Sequence, residues 1–110
     1  TLASLCGITP PPYLHGADLT PLLNNPKAKW GRPAYTQVLR PKNIMGRSVR
    51  TERWRYTEWD KGREGAELYD HKKDVHELNN LANDPRFAET RQELRRLLYR
   101  KQVNQLSIDQ

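Results

Sequence analysis

Apolar side chains recur along this chain at two spacings, and the change between them divides it. From Ala34 to Asp70 they come in short runs rich in aromatic and β-branched residues, broken by turn chemistry. Ala34 to Leu39 predicts a first strand, closed by Arg40-Pro41; Met45 to Thr51 predicts a second and Trp54 to Trp59 a third. The polar stretch Asp60 to Gly65, with Gly62 and Gly65, predicts a turn before a fourth strand, Ala66 to Asp70. Glu52-Arg53 is poor chemistry for a two-residue hairpin turn, so the loop between the second and third strands is expected to be longer. Beyond Asp84 the spacing becomes helical: Phe87, Leu94, Leu97 and Leu98 form one stripe on a helix from about Pro85 to Arg100. Asp84 suits its N-cap, Pro85 its first position, and Arg95, Arg96, Arg100 and Lys101 complement the dipole of its last turns. Four strands on short connections pair antiparallel. The expected fold is α+β: a small four-stranded antiparallel sheet packed by a carboxyl-terminal helix.

Alternation within the strands is imperfect. Met45, Arg47, Val49 and Thr51 share one face of the second strand, and Gly46, Ser48 and Arg50 the other; Trp54 and Tyr56 oppose Arg55, Thr57 and Trp59. A sheet with one wet face alternates cleanly, so bulky or charged groups on both faces predict that both are covered. One face is expected to meet the helix and the other a larger body, with Arg47 and Arg50 making ion pairs across that seam.

Upstream, Thr1 to Ile8 reads as the last turns of a helix stopped by Gly7, and Thr9 to Gly16 as an extended connector over Pro10-Pro11-Pro12. Asp18 to Leu23 predicts a short helical turn, capped by Asp18 or Thr20, with Pro21 in its first turn. Asp74 to Asn80 has capping-box chemistry and predicts a capped helical turn in which Glu77 reaches back toward Asp74. The domain division is therefore 1–33, a helix end and Pro-rich connector leading from a catalytic domain outside this sequence; 34–101, sheet plus helix; and 102–110, a frayed tail.

Composition changes this picture in two ways. At 110 residues with 35% hydrophobic side chains and a mean hydropathy of −0.97, the chain has material for one small domain that leans on something larger. An opening at Thr1 with no charged or apolar leader reads as a piece of a longer protein. The charge, 19 Lys and Arg against 13 Asp and Glu for a net +6, favours polyanionic partners. The acids are interspersed, which argues against a nucleic-acid stripe. One cysteine excludes an internal disulfide and a multi-cysteine zinc site. No run approaches the ~20 apolar residues that span a bilayer, so no membrane partner is expected.

Little chemistry is self-contained here. His71 and His76 are five apart across a turn and read, with His15, as surface histidines rather than metal ligands. Cys6, beside Leu5 and ahead of Gly7, reads as a small buried hydrophobe with no basic neighbour to activate it.

Six strings in order give the chain a likeness: Leu5-Cys6-Gly7-Ile8; Gly16-Ala17-Asp18-Leu19 through Leu22-Leu23; Ala34-Tyr35-Thr36-Gln37; Ile44 through Arg47-Ser48-Val49-Arg50-Thr51; Trp54 to Trp59; and Leu68-Tyr69-Asp70, Asp74, Glu77 and Asn80-Leu81-Ala82. They resemble the carboxyl-terminal subdomain of the sulfatase family, with its alkaline-phosphatase-like fold, on the side of the iduronate-2-sulfatase-like members. The resemblance spans about Thr1 to Lys101. It implies hydrolysis of sulfate esters on sulfated glycans such as glycosaminoglycans by the whole enzyme, a formylglycine nucleophile and a Ca2+ ion. The family's Cys/Ser-x-Pro-Ser-Arg motif is absent: Cys6 is followed by Gly-Ile-Thr. No catalytic residue, metal ligand or cofactor is therefore expected within this sequence. In the family this sheet helps shape the mouth of the substrate pocket, and Gln37, Arg40 and Lys42, on or just after the first strand, are the candidates for touching substrate. The implied partners are the enzyme's own amino-terminal catalytic domain and a sulfated glycan, and the implied location is periplasmic, secreted or lysosomal. The rival reading is a small basic module that stacks RNA or another polyanion on Trp54, Tyr56 and Trp59 beside Arg53 and Arg55. The order of strands lacks a βαββαβ layout and no ribonucleoprotein-type aromatic motif is present, so no nucleic-acid partner is expected.

Overall fold

The structure, a computed structural model, describes the backbone of residues 1–106 and the side chains of residues 1–100. It divides into two units, residues 1–30 and 31–110.

In the first unit, α1 (Leu2–Leu5) stops at Gly7, whose φ of +66° suits glycine. The Gly7 N–H donates to the Ser4 carbonyl at 3.1 Å and the Ile8 N–H to that of Ala3 at 2.9 Å, the paired bonds that close a helix through a left-handed residue. α2 (Thr20–Asn24) carries Pro21 in its first turn. The Asp18 carboxylate accepts from the Thr20 N–H at 2.9 Å and from the hydroxyls of Thr20 and Ser4. These bonds, the Ser4 hydroxyl foremost, hold the Asp18 carboxyl down at about 2. Neither helix buries a residue. Cys6 is exposed, so the expectation of a buried cysteine is corrected: a four-residue helix has no second layer to bury it under.

The second unit is the sheet. β1 (Ala34–Arg40), β2 (Ile44–Arg50), β3 (Trp54–Trp59) and β4 (Ala66–Asp70) lie in sequence order, each antiparallel to the next. The β2–β3 loop is Thr51-Glu52-Arg53, longer than two residues as the turn chemistry required; the Thr51 N–H donates to the Trp54 carbonyl at 2.9 Å and the Thr51 hydroxyl accepts from the Trp54 N–H at 3.0 Å. The register aligns Tyr35, Val49, Tyr56 and Leu68 across one face. Val49, Tyr56 and Leu68 are wholly buried there. Over them lies α3 (Ala88–Leu106), entered through a 3-10 turn at Pro85–Phe87 with the Asp84 carboxylate accepting from the Arg86 N–H at 3.0 Å. Leu94 and Leu98 are buried against the sheet, with Phe87 and Leu97 packed beside them, so the predicted stripe is the seam. α3 runs to Leu106, and the tail expected from 102 therefore starts inside the helix; residues 107–110 lie outside the described residues.

Under α3 one carboxylate is enclosed. Glu58, 2% exposed, accepts from the Tyr99 hydroxyl at 2.6 Å and the Tyr56 hydroxyl at 2.9 Å, and pairs with Arg95 at 3.2 Å. A buried charge costs heavily unless so surrounded. Burial, reinforced by Glu58, pushes both tyrosine hydroxyls above their ordinary range.

The segment after β4 differs from expectation. No helical turn forms at 74–80: Asp74 accepts from the N–H groups of Leu78 and Asn79, at 3.0 and 2.9 Å, and Glu77 sits at φ +54°. Its carboxylate turns not to Asp74 but to Arg55 and His71, at 2.6 and 2.7 Å. Asn80 then closes the outer edge of β4. Its side chain accepts from the Leu68 N–H at 3.0 Å and donates to the Ala66 carbonyl at 3.1 Å, while the Leu81 N–H reaches the Leu68 carbonyl at 2.8 Å.

Candidate functional site

The opposite face of the sheet is open to solvent. Alternate residues of all four strands, with His71 and Glu77, line a hollow of about 410 Å³ across it. Its floor is polar: the Thr57 hydroxyl donates to that of Ser48 at 2.9 Å. The two ends differ chemically.

At one end the charges are satisfied locally. Arg55 pairs with Glu77 and Glu77 with His71. Burial would raise the Glu77 carboxyl, but the His71 and Arg55 hydrogen bonds outweigh it and hold the group below its ordinary value. The Arg50 guanidinium donates to the carbonyls of Thr51, Glu52 and Trp54, capping the β2–β3 loop. Arg50 was expected to form an ion pair across a domain seam; within this chain its guanidinium is held by the carbonyls of the loop that follows its own strand. Arg47 lies on the α3 side, opposite Gln37 and Glu58 in register.

The other end is the β1–β2 hairpin. Trp59 lies flat on Gly46, its cross-strand partner: a Cβ built on Gly46 would fall 2.5–2.9 Å from three carbons of the indole. The indole N–H donates to Glu67 at 3.2 Å, and Glu67 also accepts from the Tyr69 hydroxyl at 3.1 Å. The Arg40 guanidinium stands over the indole, 5.4 Å from its centroid, a cation–π distance. Two residues on, Pro41–Asn43 turns the chain with Lys42 and Asn43 both left-handed, at φ +64° and +58°. A lysine in that region is uncommon and costs about 1–3 kcal/mol, a strain that clusters at functional sites. Both cations are exposed, and neither has an acidic partner among the described residues.

Of the three residues the sequence pointed to, Arg40 and Lys42 both lie at the hairpin end. Gln37 does not join them: it is three positions from Arg40 on an extended strand, so the two lie on opposite faces. Trp59 was missed as part of this end. The signal for it was Gly46, since a glycine inside a strand marks the close approach of another group. The aromatic platform of the rival reading does not exist. Tyr56 is wholly buried under α3, and Trp54 packs edge-to-face on Phe87 with centroids 5.8 Å apart, so of these three only Trp59 reaches the open face. Among the described residues no group of His, Cys, Asp or Glu could hold a metal ion, and no helix is long and apolar enough to cross a membrane.

Comparison with known proteins gives one consistent result. The family described as N-sulphoglucosamine sulphohydrolase, C-terminal, matches residues 1–104. The Δ4,5-hexuronate-2-O-sulfatase of Bacteroides thetaiotaomicron is 40% identical over 106 residues, covering 89% of this chain and 21% of that protein. A solved 2-O glycosaminoglycan sulfatase superposes with a TM-score of 0.80 at 34% identity, covering 94% of this chain and 23% of its own. A protein solved in complex with its substrate, D-glucosamine-2-N,6-O-disulfate, superposes with a TM-score of 0.78 at 26% identity over 94% of this chain and 22% of its own. The chain therefore spans about a fifth of the length of the curated relative it matches.

Proposed function

The chain belongs to the sulfatase carboxyl-terminal family, and from that premise we propose that it is the terminal subdomain of a hydrolase that removes sulfate from sulfated glycans, with its hairpin end at the substrate. The observation that carries this reading is the pair Arg40 and Lys42, two exposed cations two residues apart at the hairpin end, neither with an acidic partner among the described residues. A sulfated uronate carries a carboxylate and a sulfate, and a planar guanidinium beside an ammonium suits that pair. The Δ4,5-hexuronate-2-O-sulfatase, at 40% identity, supports a uronate over an amino sugar. Gln37, on the other face, would meet substrate only separately.

The remaining machinery belongs to the rest of the enzyme. The formylglycine and Ca2+ of such an enzyme find no fit in these residues: Cys6 lacks the x-Pro-Ser-Arg that would follow it, and among the described residues no three of the His, Cys, Asp and Glu side chains are gathered to hold an ion. Partnership with a catalytic domain is supported by residues 1–30, where Leu2, Leu5, Ile8, Tyr13, Leu14 and Leu23 are all more than half exposed. On the same reading the enzyme works outside the cytoplasm, in periplasm, exterior or lysosome.

Sulfate release from 2-O-sulfated uronate disaccharides, measured on the whole protein and on residues 1–110 alone, tests the proposal. Release by the whole protein and none by the isolated chain is expected. Turnover by the isolated chain, or none by the whole protein on any sulfated uronate, overturns it.

A further inference from the structure

Arg40 is the last residue of an edge strand and exposed, which for a long side chain means many conformers of similar energy. Contacts on the neighbouring strands remove that freedom. Gly46 leaves room for the Trp59 indole to lie flat across β2, Glu67 holds the indole N–H at 3.2 Å, and Tyr69 holds Glu67 at 3.1 Å. The indole so fixed presents its π face to the Arg40 guanidinium at 5.4 Å. A cation–π contact engages the plane of the guanidinium and leaves its N–H groups at the edge, directed outward, for an anion.

We propose that Trp59 is a positioning residue for substrate recognition: it does not touch the glycan but holds Arg40 ready for the acidic group of the sugar. This inference rests on the reading that Arg40 meets the substrate. Its physical content is preorganisation. With the indole in place, binding no longer has to select one Arg40 rotamer from many, so the effect falls on KM and leaves kcat nearly unchanged. The ring is what matters, more than its bulk.

The test uses the whole enzyme and two substrates, a sulfated uronate disaccharide and an aryl sulfate that carries no carboxylate. Arg40→Gln should raise KM for the uronate about tenfold, as loss of a charge-assisted contact does. Trp59→Leu, apolar but without a π face, should raise it about threefold, the scale of an exposed cation–π contact, while Trp59→Phe stays near wild type. The double variant Arg40→Gln with Trp59→Leu should be no worse than Arg40→Gln alone, because the indole acts only through the arginine. Aryl sulfate turnover should fall less than uronate turnover in every variant. If Arg40→Gln raises KM but Trp59→Leu does not, or if the two losses multiply, the positioning role is wrong while the reading of Arg40 stands. If Arg40→Gln itself does nothing, that reading fails and the inference with it. Equal loss on both substrates in Trp59→Leu makes the tryptophan structural and overturns the inference. Should Trp59→Leu not fold, arginine-labelled wild-type protein still decides: Arg40 side-chain protons shifted upfield by the indole ring current support the contact, and unshifted ones overturn it.

Discussion

Beneath α3 the polar atoms of the sheet are enclosed and spoken for: Glu58 is ringed by Tyr56, Tyr99 and Arg95, and among the described residues no buried side-chain nitrogen or oxygen lacks a partner. On the opposite face polar groups are paired too, but at the hairpin end Arg40 and Lys42 have no acidic partner among the described residues. The same four strands build both. A charge in the interior must be closed by neighbours, whereas a charge at the rim can be oriented and left open. The covered face supplies stability, and the open face, at one end, leaves two cations exposed.

Perturbing each face in turn sharpens this contrast. The largest effect should come from the covered side. Leu94→Ala in the whole protein removes a side chain that is 4% exposed from the α3 seam and should cost about 2–5 kcal/mol in denaturant unfolding. A loss below about 0.5 kcal/mol would put that seam in solvent. On the open side, Gly46→Ala drives a methyl group against the indole at 2.5–2.9 Å, and overpacking of this kind costs about 1–3 kcal/mol. It should also weaken binding of a sulfated uronate, a consequence Leu94→Ala lacks once the protein is folded. Stability lost with binding intact would detach Trp59 from Arg40.

A smaller effect concerns pH and belongs to the covered side. Asp70 is 3% exposed and accepts both arms of the Arg53 guanidinium at 2.9 and 2.8 Å, and this hydrogen bonding, ahead of every other influence, holds its carboxyl below the ordinary 3.8. A carboxyl lowered in the folded state stabilises above its unfolded value, and that contribution is lost as pH falls through the folded one. Wild type should therefore lead Asp70→Asn in stability at neutral pH, and the gap should close as pH drops below 3.8. A gap that stays constant in that range would show the pair contributes nothing through charge.

How much of this could be read from the sequence follows from how local each feature is. The strands and the α3 stripe rest on spacing within one element, and Trp54–Trp59 and Ala66–Asp70 have the same bounds in the structure. Glu77 misled because a capping box is a local pattern, while its carboxylate is claimed by Arg55 and His71, 22 and 6 residues away. Cys6 misled because a helical stretch says nothing of what lies above it. The separation of Gln37 from Arg40 was available in principle, since an odd spacing on a strand means opposite faces. The seat of Trp59 on Gly46 needed the register of β2 against β3, which the hydrophobic pattern alone does not fix for a strand carrying bulky groups on both sides.

The two open cations carry the substrate proposal. Arg40→Gln with Lys42→Gln, made together in the whole enzyme, removes both while leaving the α3 face untouched. kcat/KM for a sulfated uronate should then fall by at least about tenfold, since each charge-assisted contact shielded from water is worth roughly 1.5–3 kcal/mol. An aryl sulfate, which keeps the sulfate charge but lacks the carboxylate, should lose less. Equal losses on the two substrates, or none on either, would contradict the proposal and remove the hairpin end from the substrate site.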